Sequence, residues 1–509
     1  MVAAACLLVL CLLPLIVLAG ELLAGAEGLA QVQATLLAPR TWVLLAETIG
    51  FALAITAVAL IIGVPLGALL GKTDVAGRHA ALLLHGFPLF LPPFLVALGW
   101  FHLFGRQGPL GSVATSGYLF SRTGAIAILG LVFSPVVTGL TLIGLRGIDP
   151  SLEEAARAVA RPRRVVMGIL IPLARPAISL AALVVFTLSI SEVGVPMFLR
   201  VPTYPAAVFT RLGGANYSPG EAFALVVPLF VLALLLLLLD RRFIGRRSFA
   251  SLGVRTNERR LVHLGRFRGA VSAGVWILCG VSVAPIAALS MKASGGGWLA
   301  ISRWLGGSLT NSLMVAASAA TVVTALGIVI GIRLARKKRG STLLDSVAML
   351  AFFTPAAVLG VGLMATWNRG ATQLVYSTAA ILVVGLAARY SAIGLRTVAA
   401  VVSRSSPSYD EAATIFGGGY LRRLSRIVLP MHGRGIIAAW LLVMVFCLRD
   451  LETVVMFYPP GGETLPVRIF TLEANGPEKV VAALAVLHVG LTAAVLALGG
   501  LCLRTRRLM

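Results

Sequence analysis

Charge is scarce in this 509-residue chain. Asp, Glu, Lys and Arg make up 12% of it, about half the ~25% share of soluble proteins. Acid is scarcer still, with 19 Asp and Glu against 43 Lys and Arg. Thiols and imidazoles are few, at five Cys and six His. Cys6, Cys11, Cys279, Cys447 and Cys502 fall in or at the ends of apolar runs, with no disulfide framework or metal-ligand spacing. The histidines form no pair at helical metal-binding spacing, so no metal site is expected. A phosphate-binding loop is missing too. "GALLGKT" (67–73) ends like one, but Leu66 stands where the first glycine of G-x-x-x-x-G-K-[ST] must be. ATP binding by this chain is therefore not expected. No residue is read as catalytic, and the chain is not expected to be an enzyme by itself.

What the chain does have is apolar length. It is 58% hydrophobic, with a mean hydropathy of +0.96. "FALAITAVALIIGVPLGALLG" (51–71) and "ALVVPLFVLALLLLLL" (224–239) approach or reach the roughly 20 residues that cross a bilayer as a helix. Backbone groups in lipid must satisfy one another, which selects helices. Twelve spans are expected, at roughly 3–23, 46–71, 80–104, 123–145, 176–199, 221–240, 269–291, 309–332, 343–366, 373–395, 434–457 and 480–503. The first run lacks a basic flank, its first Lys or Arg being Arg40, and reads as a retained helix rather than a cleaved leader. The fold class is all-α integral membrane. Most of the Lys and Arg fall in alternate loops, a positive-inside bias that places both termini in the cytoplasm. That distribution also accounts for the net charge of +24 without nucleic acid as a partner.

The chain repeats itself. "PSLEEAA" (150–156) returns as "PSYDEAA" (407–413), an offset of 407 − 150 = 257. "GVPLGALL" (63–70) is answered by "GIVIGIRL" (327–334), and "TYPAAVFT" (203–210) by "TLPVRIFT" (464–471). A stretch with nine arginines lies between the copies. The expected organisation is a first six-helix half at 1–240, a basic cytoplasmic linker at 241–268, and a second six-helix half at 269–509. An even number of spans per repeat makes the halves parallel, which suits a route between them.

Each copied heptapeptide reads as a helix start. Ser151 with Glu154, and Ser408 with Glu411, have the spacing of a capping box. Glu153 and Asp410 suit the positive end of the helix dipole. Two alanines follow, then a break: Gly417 to Gly419 in the second copy, Pro162 in the first. "RRVVMGILIP" and "LRRLSRIVLP" then read as second short amphipathic helices, with Val165, Val166, Ile169 and Leu170, or Leu421, Leu424 and Val428, on one face, ending at Pro172 and Pro430. The expectation is a cytoplasmic helix–turn–helix knuckle on each half. The plainer reading, two well-capped cytoplasmic helices, does not explain their matched positions.

These residues resemble the EAA signature of ATP-binding-cassette importer permeases. Glu411, Ala412, Ala413, Gly417, Ile427, Leu429 and Pro430 fit it, with the proline at the spacing the signature asks for. Glu154, Ala155 and Ala156 match in the first copy, but Ala160 replaces the glycine and Pro172 arrives one position early. Nearly the whole chain resembles the fused double permeases of the ferric-iron and thiamine importers. The resemblance implies that Glu153, Glu154, Ala155, Ala156, Ala160, Glu411, Ala412, Ala413 and Gly417 couple the chain to two copies of a cytoplasmic ATPase subunit. It implies ATP and Mg bound on those subunits and no cofactor on this chain. It further implies an external substrate-binding protein, a lipid-embedded inner-membrane location, and uptake of a small solute. Ferric iron comes first among solutes, with thiamine or a phosphonate-type compound as alternatives.

Charged residues inside spans are costly, at about 2.5–3.5 kcal/mol each on insertion scales. Glu192, Arg449, Asp450 and Glu452 are therefore read as bordering the translocation pathway or its gate, against the alternative of a buried structural pair. Arg449 and Glu452 have the spacing to pair along one helix face. Glu452 takes the place of Glu192 in the second half, and Arg389 is expected to snorkel to the cytoplasm. "GKTDVAGRH" (71–79) suggests a different class, a proton-coupled carrier of the major-facilitator type, through Asp74, Gly77 and Arg78.

Overall fold

The computed structural model describes residues 2–23, 26–160, 162–213, 219–243, 262–406, 408, 415 and 419–505. These residues are almost wholly helical, with one isolated bridge between Thr73 and Val262 and no strand among them. Nine described helices are long and apolar enough to cross a membrane, or twelve if each of three bent pairs counts as one span.

In the first half the helices used below are α1 (Val2–Cys11), α2 (Leu13–Leu23), α3 (Pro39–Lys72), α4 (Arg78–Gly86), α5 (Pro93–Phe104), α6 (Arg122–Arg146), α7 (Pro150–Val159), α8 (Ile171–Ser191), α9 (Gly194–Phe198) and α10 (Pro219–Phe243). In the second half they are α11 (Arg268–Ser294), α12 (Ser308–Leu326), α13 (Ser341–Phe353), α14 (Ala356–Trp367), α15 (Ala380–Val402), α16 (Leu429–Leu448), α17 (Leu465–Glu473) and α18 (Glu478–Thr505). The third span of each half is broken at a proline. The chain turns through 103° at Leu91–Pro92 and through 107° at Thr354–Pro355, because proline offers no N–H to continue a helix.

The sequence repeat is also a repeat of contacts. Gly63 and Gly67 bring α3 against α6 so closely that a Cβ on either would lie 2.7 Å from the carbonyl of Ser134 or Thr138. Their counterparts in the second half, Gly327 and Gly331, press the extension of α12 against the carbonyls of Gly394 and Leu395. Small residues allow such approach where lipid supplies no hydrophobic drive. The N–H of Tyr204 donates to Thr48 Oγ1 at 2.9 Å, and the N–H of Leu465 donates to Ser312 Oγ at 2.7 Å.

The halves are interleaved. Helices α1 and α2 pack on α13, α14 and α15 of the second half. Helix α11 packs on α4 and α5 of the first. The seats match: Gly362 faces the carbonyl of Pro14, and Gly99 faces that of Pro285. Within the linker expected at 241–268, residues 244–261 lie outside the described residues. The chain after them is anchored on the first half, where Val262 N–H donates to Lys72 O at 2.7 Å and Leu264 N–H to Asp74 Oδ1 at 3.0 Å. Trp276 Nε1 donates to Ala76 O at 3.0 Å. Gly77 is required twice over: its φ is +67°, and a Cβ would come 2.7 Å from the Trp276 ring. The stretch containing Asp74 and Gly77 thus seats the exchanged helix α11.

Three expected spans shift. The fifth runs Val166–Ser191, the tenth Ala380–Val402 and the eleventh Leu424–Leu448. The fifth and eleventh start early because the second knuckle helix does not stop at Pro172 or Pro430. Instead a π-helical turn, Val166–Leu170 or Leu424–Val428, precedes each proline and carries the helix through it. Widening the turn relieves the clash of the proline ring with the preceding backbone. The same spans end early at Glu192 and Arg449, where the backbone unwinds.

Candidate functional site

Two regions hold the residues singled out by sequence. The first is the knuckle. Helix α7 starts with Pro150 at its first position, but its cap is Asp149, whose Oδ1 accepts from Ser151 N–H at 2.9 Å and Ser151 Oγ at 2.8 Å. The expected Ser151–Glu154 capping box is replaced by this tighter turn, which starts the helix earlier. Ser406, at the place of Asp149 in the second copy, likewise accepts from Ser408 N–H, at 3.3 Å.

Glu153 is buried, and its Oε2 meets Lys72 Nζ at the end of α3 at 2.5 Å. It therefore ties the knuckle to its own half besides facing the helix dipole. Ala156 is buried with Leu145, Val165, Leu170 and Ala174. The opposite side of α7 presents Leu152, 55% exposed, with Glu154, Ala155 and Ala158 also exposed. One face grips the bundle and the other is open to a partner. Ala160 ends the helix at φ −141°, ψ 149°, extended backbone that needs no glycine. This explains its departure from the Gly417 position. Asp410, Glu411, Ala412, Ala413 and Gly417 lie outside the described residues. Ile415, between them, is 82% exposed.

The second region is the seam between the halves. Helix α8 ends at Ser191, and Glu192 Oε1 accepts from Val195 N–H at 3.0 Å to start α9. In the second half Asp450 Oδ1 accepts from Thr453 N–H at 2.8 Å. Asp450 is thus the structural counterpart of Glu192, correcting the match to Glu452. Asp450 also accepts from Tyr390 Oη at 2.6 Å and Thr453 Oγ1 at 3.0 Å, and lies 3.4 Å from Arg389 Nε. Arg389 is 3% exposed and does not snorkel, because its counter-ion is inside.

Arg449 and Glu452 share no helix face, because the helix ends between them. Arg449 instead reaches into the first half. Its Nη1 donates to the carbonyl of Leu89 at the break before α5, and its guanidinium lies over the rings of Phe133 and Phe446 at 5.9 and 5.6 Å. Glu192 and Glu452 lie close to each other across the seam, in the field of Arg449. Phe94, fully buried beside them on α5, stacks edge-on against Phe198 at 5.4 Å and against Phe470 of the second half at 5.2 Å. No group of three or more metal-ligating side chains occurs among the described residues.

Sequence reasoning did not single out Lys72, Leu89, Phe94 or Tyr390. Pro92–Pro93 was the available signal for Leu89, since a proline break frees carbonyls just before it. Nothing local in the sequence links Arg389 or Tyr390 to Asp450.

With this geometry in view, similarity to known proteins has a definite place to attach. Residues 324–505 match the family described as binding-protein-dependent transport system inner membrane component. This part of the chain is similar to members of that family. The membrane-component match runs from the end of α12 through the second knuckle to α18. The chain is 23% identical over 414 residues to a ferric transport system permease protein of Actinobacillus pleuropneumoniae, covering 75% of this chain and 59% of that protein. It therefore spans about three fifths of the length of that relative. It is 27% identical over 192 residues to a molybdate/tungstate transport system permease protein of Thermococcus kodakarensis, covering 38% of this chain and 74% of the other. A putative 2-aminoethylphosphonate transport system permease protein of Salmonella paratyphi A is 29% identical over 147 residues, 28% of this chain and 55% of the other. The long match to the ferric permease, unlike the two shorter ones, extends across most of this chain.

Proposed function

We propose that this chain supplies both halves of the membrane route of an ATP-binding-cassette importer. The observation that carries the reading is the first knuckle, with one face exposed, on a motif that the sequence repeats. Leu152, Glu154 and Ala155 point away from a helix whose other face is locked to α3, α6 and α8. An apolar and acidic helix face held rigidly outside the bundle suits the groove of a separate motor subunit, as in helix-in-groove recognition. Two copies of a cytoplasmic ATPase, holding ATP and Mg, would take the two knuckles. Their approach and separation would be passed to the halves through the Lys72–Glu153 tie. The knuckle face is then the cytoplasmic one, and the opposite face of the inner membrane receives cargo from an external binding protein. Positive charge near the knuckle ends fits this orientation.

Ferric iron is the proposed cargo, supported by the length of the match to a ferric permease. Molybdate and 2-aminoethylphosphonate are carried in the names of shorter matches and are the second reading.

The test is co-purification of the membrane chain with the ATPase encoded beside it. Leu152→Asp and Glu411→Lys should each weaken the complex at least tenfold while leaving the membrane chain folded. A complex unaffected by the pair together would end the knuckle reading. Radiolabelled iron uptake, competed with molybdate and 2-aminoethylphosphonate, decides the cargo.

A further inference from the structure

Ionisable and polar groups meet where the halves touch, and they divide into two sets. Asp450, Arg389, Tyr390 and Thr453 all belong to the second half and meet around the Asp450 carboxylate. Glu192, Glu452 and Arg449 cross the seam. The division follows from a difference between the repeats. Asp450 has Arg389 as its cation. Leu131 and Val132 stand at the matching place in the first half, so Glu192, the counterpart of Asp450, gains no such cation there. It turns instead to Glu452 and to the field of Arg449.

Arg449 has no counterpart either, since Ser191 stands at the matching place, just before Glu192. One half carries a guanidinium at the seam and the other a hydroxyl. The guanidinium crosses to the free Leu89 carbonyl at the break between α4 and α5. The junction is buried, with Glu192 2%, Arg449 5% and Glu452 8% exposed, and a dry, closed junction is what a resting barrier to ions requires. Phe94 fills the space beside it, between Phe198 and Phe470. Gly194 completes the fit, because a Cβ there would lie 2.8 Å from Leu451.

We infer that Arg449 is a one-sided bolt: seated on the Leu89 carbonyl of the opposite half, it holds the seam closed, and opening requires its withdrawal. The inference deepens the importer reading and rests on it for the route, but its test needs no motor. When the halves part, Arg449 leaves Leu89, and Glu192 and Glu452 separate with it, since they sit on different halves. Asp450 moves with the second half as a unit.

The test uses the purified full chain in liposomes, without ATPase or binding protein, and reads thallium(I) influx with an internal thallium-sensitive dye. The parent should be tight. Arg449→Met, which keeps length and loses charge and donor, should raise influx at least tenfold. Arg449→Lys is the control for folding, since it keeps the charge but its ammonium cannot place a fork on the carbonyl and the rings together. It should leak measurably. A folded Arg449→Met or Arg449→Lys chain that stays as tight as the parent overturns the bolt. That result leaves the ATPase-docking reading standing, because no ATPase is in the assay. Failed co-purification would sink the docking reading and leave the leak result intact.

Discussion

Removing Arg389 is the perturbation that most directly probes the buried charge set. Asp450 is 1% exposed and Arg389 3%, with 3.4 Å between Nε and Oδ2. At that separation, and at an effective dielectric of ~20, two unit charges attract by about 5 kcal/mol. Much of this offsets the cost of burying them, so the net worth of the pair is small, whereas breaking it from one side costs about 3–5 kcal/mol. Arg389→Met should therefore lower stability by that amount, because Asp450 keeps its charge and only its hydroxyl and N–H donors remain. Asp450→Asn alone should cost a similar amount by orphaning Arg389. The double variant should cost far less than the sum, with a coupling energy of about 3 kcal/mol. Equilibrium unfolding of the four proteins by SDS in mixed micelles, followed by tryptophan fluorescence, closes the cycle. If the coupling comes out below about 0.5 kcal/mol with all four proteins folded, the two charges do not form one buried unit and the division of the seam fails.

Three further outcomes follow from the contacts. Lys72→Met takes the cation from a buried carboxylate, at a cost of about 3 kcal/mol or more; ATPase binding should persist while uptake falls at least tenfold, and Lys72→Met with Glu153→Gln should recover stability in the SDS assay but not uptake. The Asp74 carboxyl is held below its ordinary range first by the Leu264 N–H, then by the His263 ring and Arg268. A depressed folded value means the anchor's stabilisation is present above the unfolded value of ~3.9 and is lost as pH falls through the folded one. Hydrogen exchange at the Leu264 amide should accelerate over that acid window in the parent and show no such step in Asp74→Asn. Ala160 lies in ordinary extended backbone, so Ala160→Gly should destabilise by about 0.4–1 kcal/mol through the unfolded chain. A more stable Ala160→Gly chain, read by the same SDS titration, would show that the first break does need a glycine.

The sequence carried the parts of the fold that local chemistry determines. Apolar runs and prolines placed the helices, and the doubled heptapeptide pointed to matched knuckles. What it could not carry are contacts made between distant turns of chain. Ser151 and Glu154 have a capping-box spacing, but Asp149 stands just ahead with a carboxylate already at hand, and the nearer acceptor wins. Arg389 is read as snorkelling when only its own helix is considered; Asp450, beyond the next membrane helix, reverses that. Arg449 and Glu452 look like a helical pair until the unwinding at Asp450 is known, and that unwinding depends on Thr453 offering its N–H to the carboxylate. "GKTDVAGRH" resembled a carrier loop because its residues are those of any tight, charged turn; its work here is to hold Leu264, Arg268 and Trp276.

The unequal halves also bear on why both are needed in one chain at this seam. Consider two identical copies of the second half facing each other across a two-fold axis. Each would bring an Arg449 to the junction, and two guanidiniums would share a desolvated space sized for one. At about 5 Å and an effective dielectric of ~20, their repulsion would be roughly 3 kcal/mol, before any cost of burying the second. Two copies of the first half would bring two Glu192 carboxyls and no arginine, leaving the junction without a cation. The mixed pair avoids both outcomes: Ser191 makes room for Arg449, and Glu192 brings a carboxyl group into the field of that single guanidinium. The Leu89 break can then receive a single side chain, because the two repeats differ at this point.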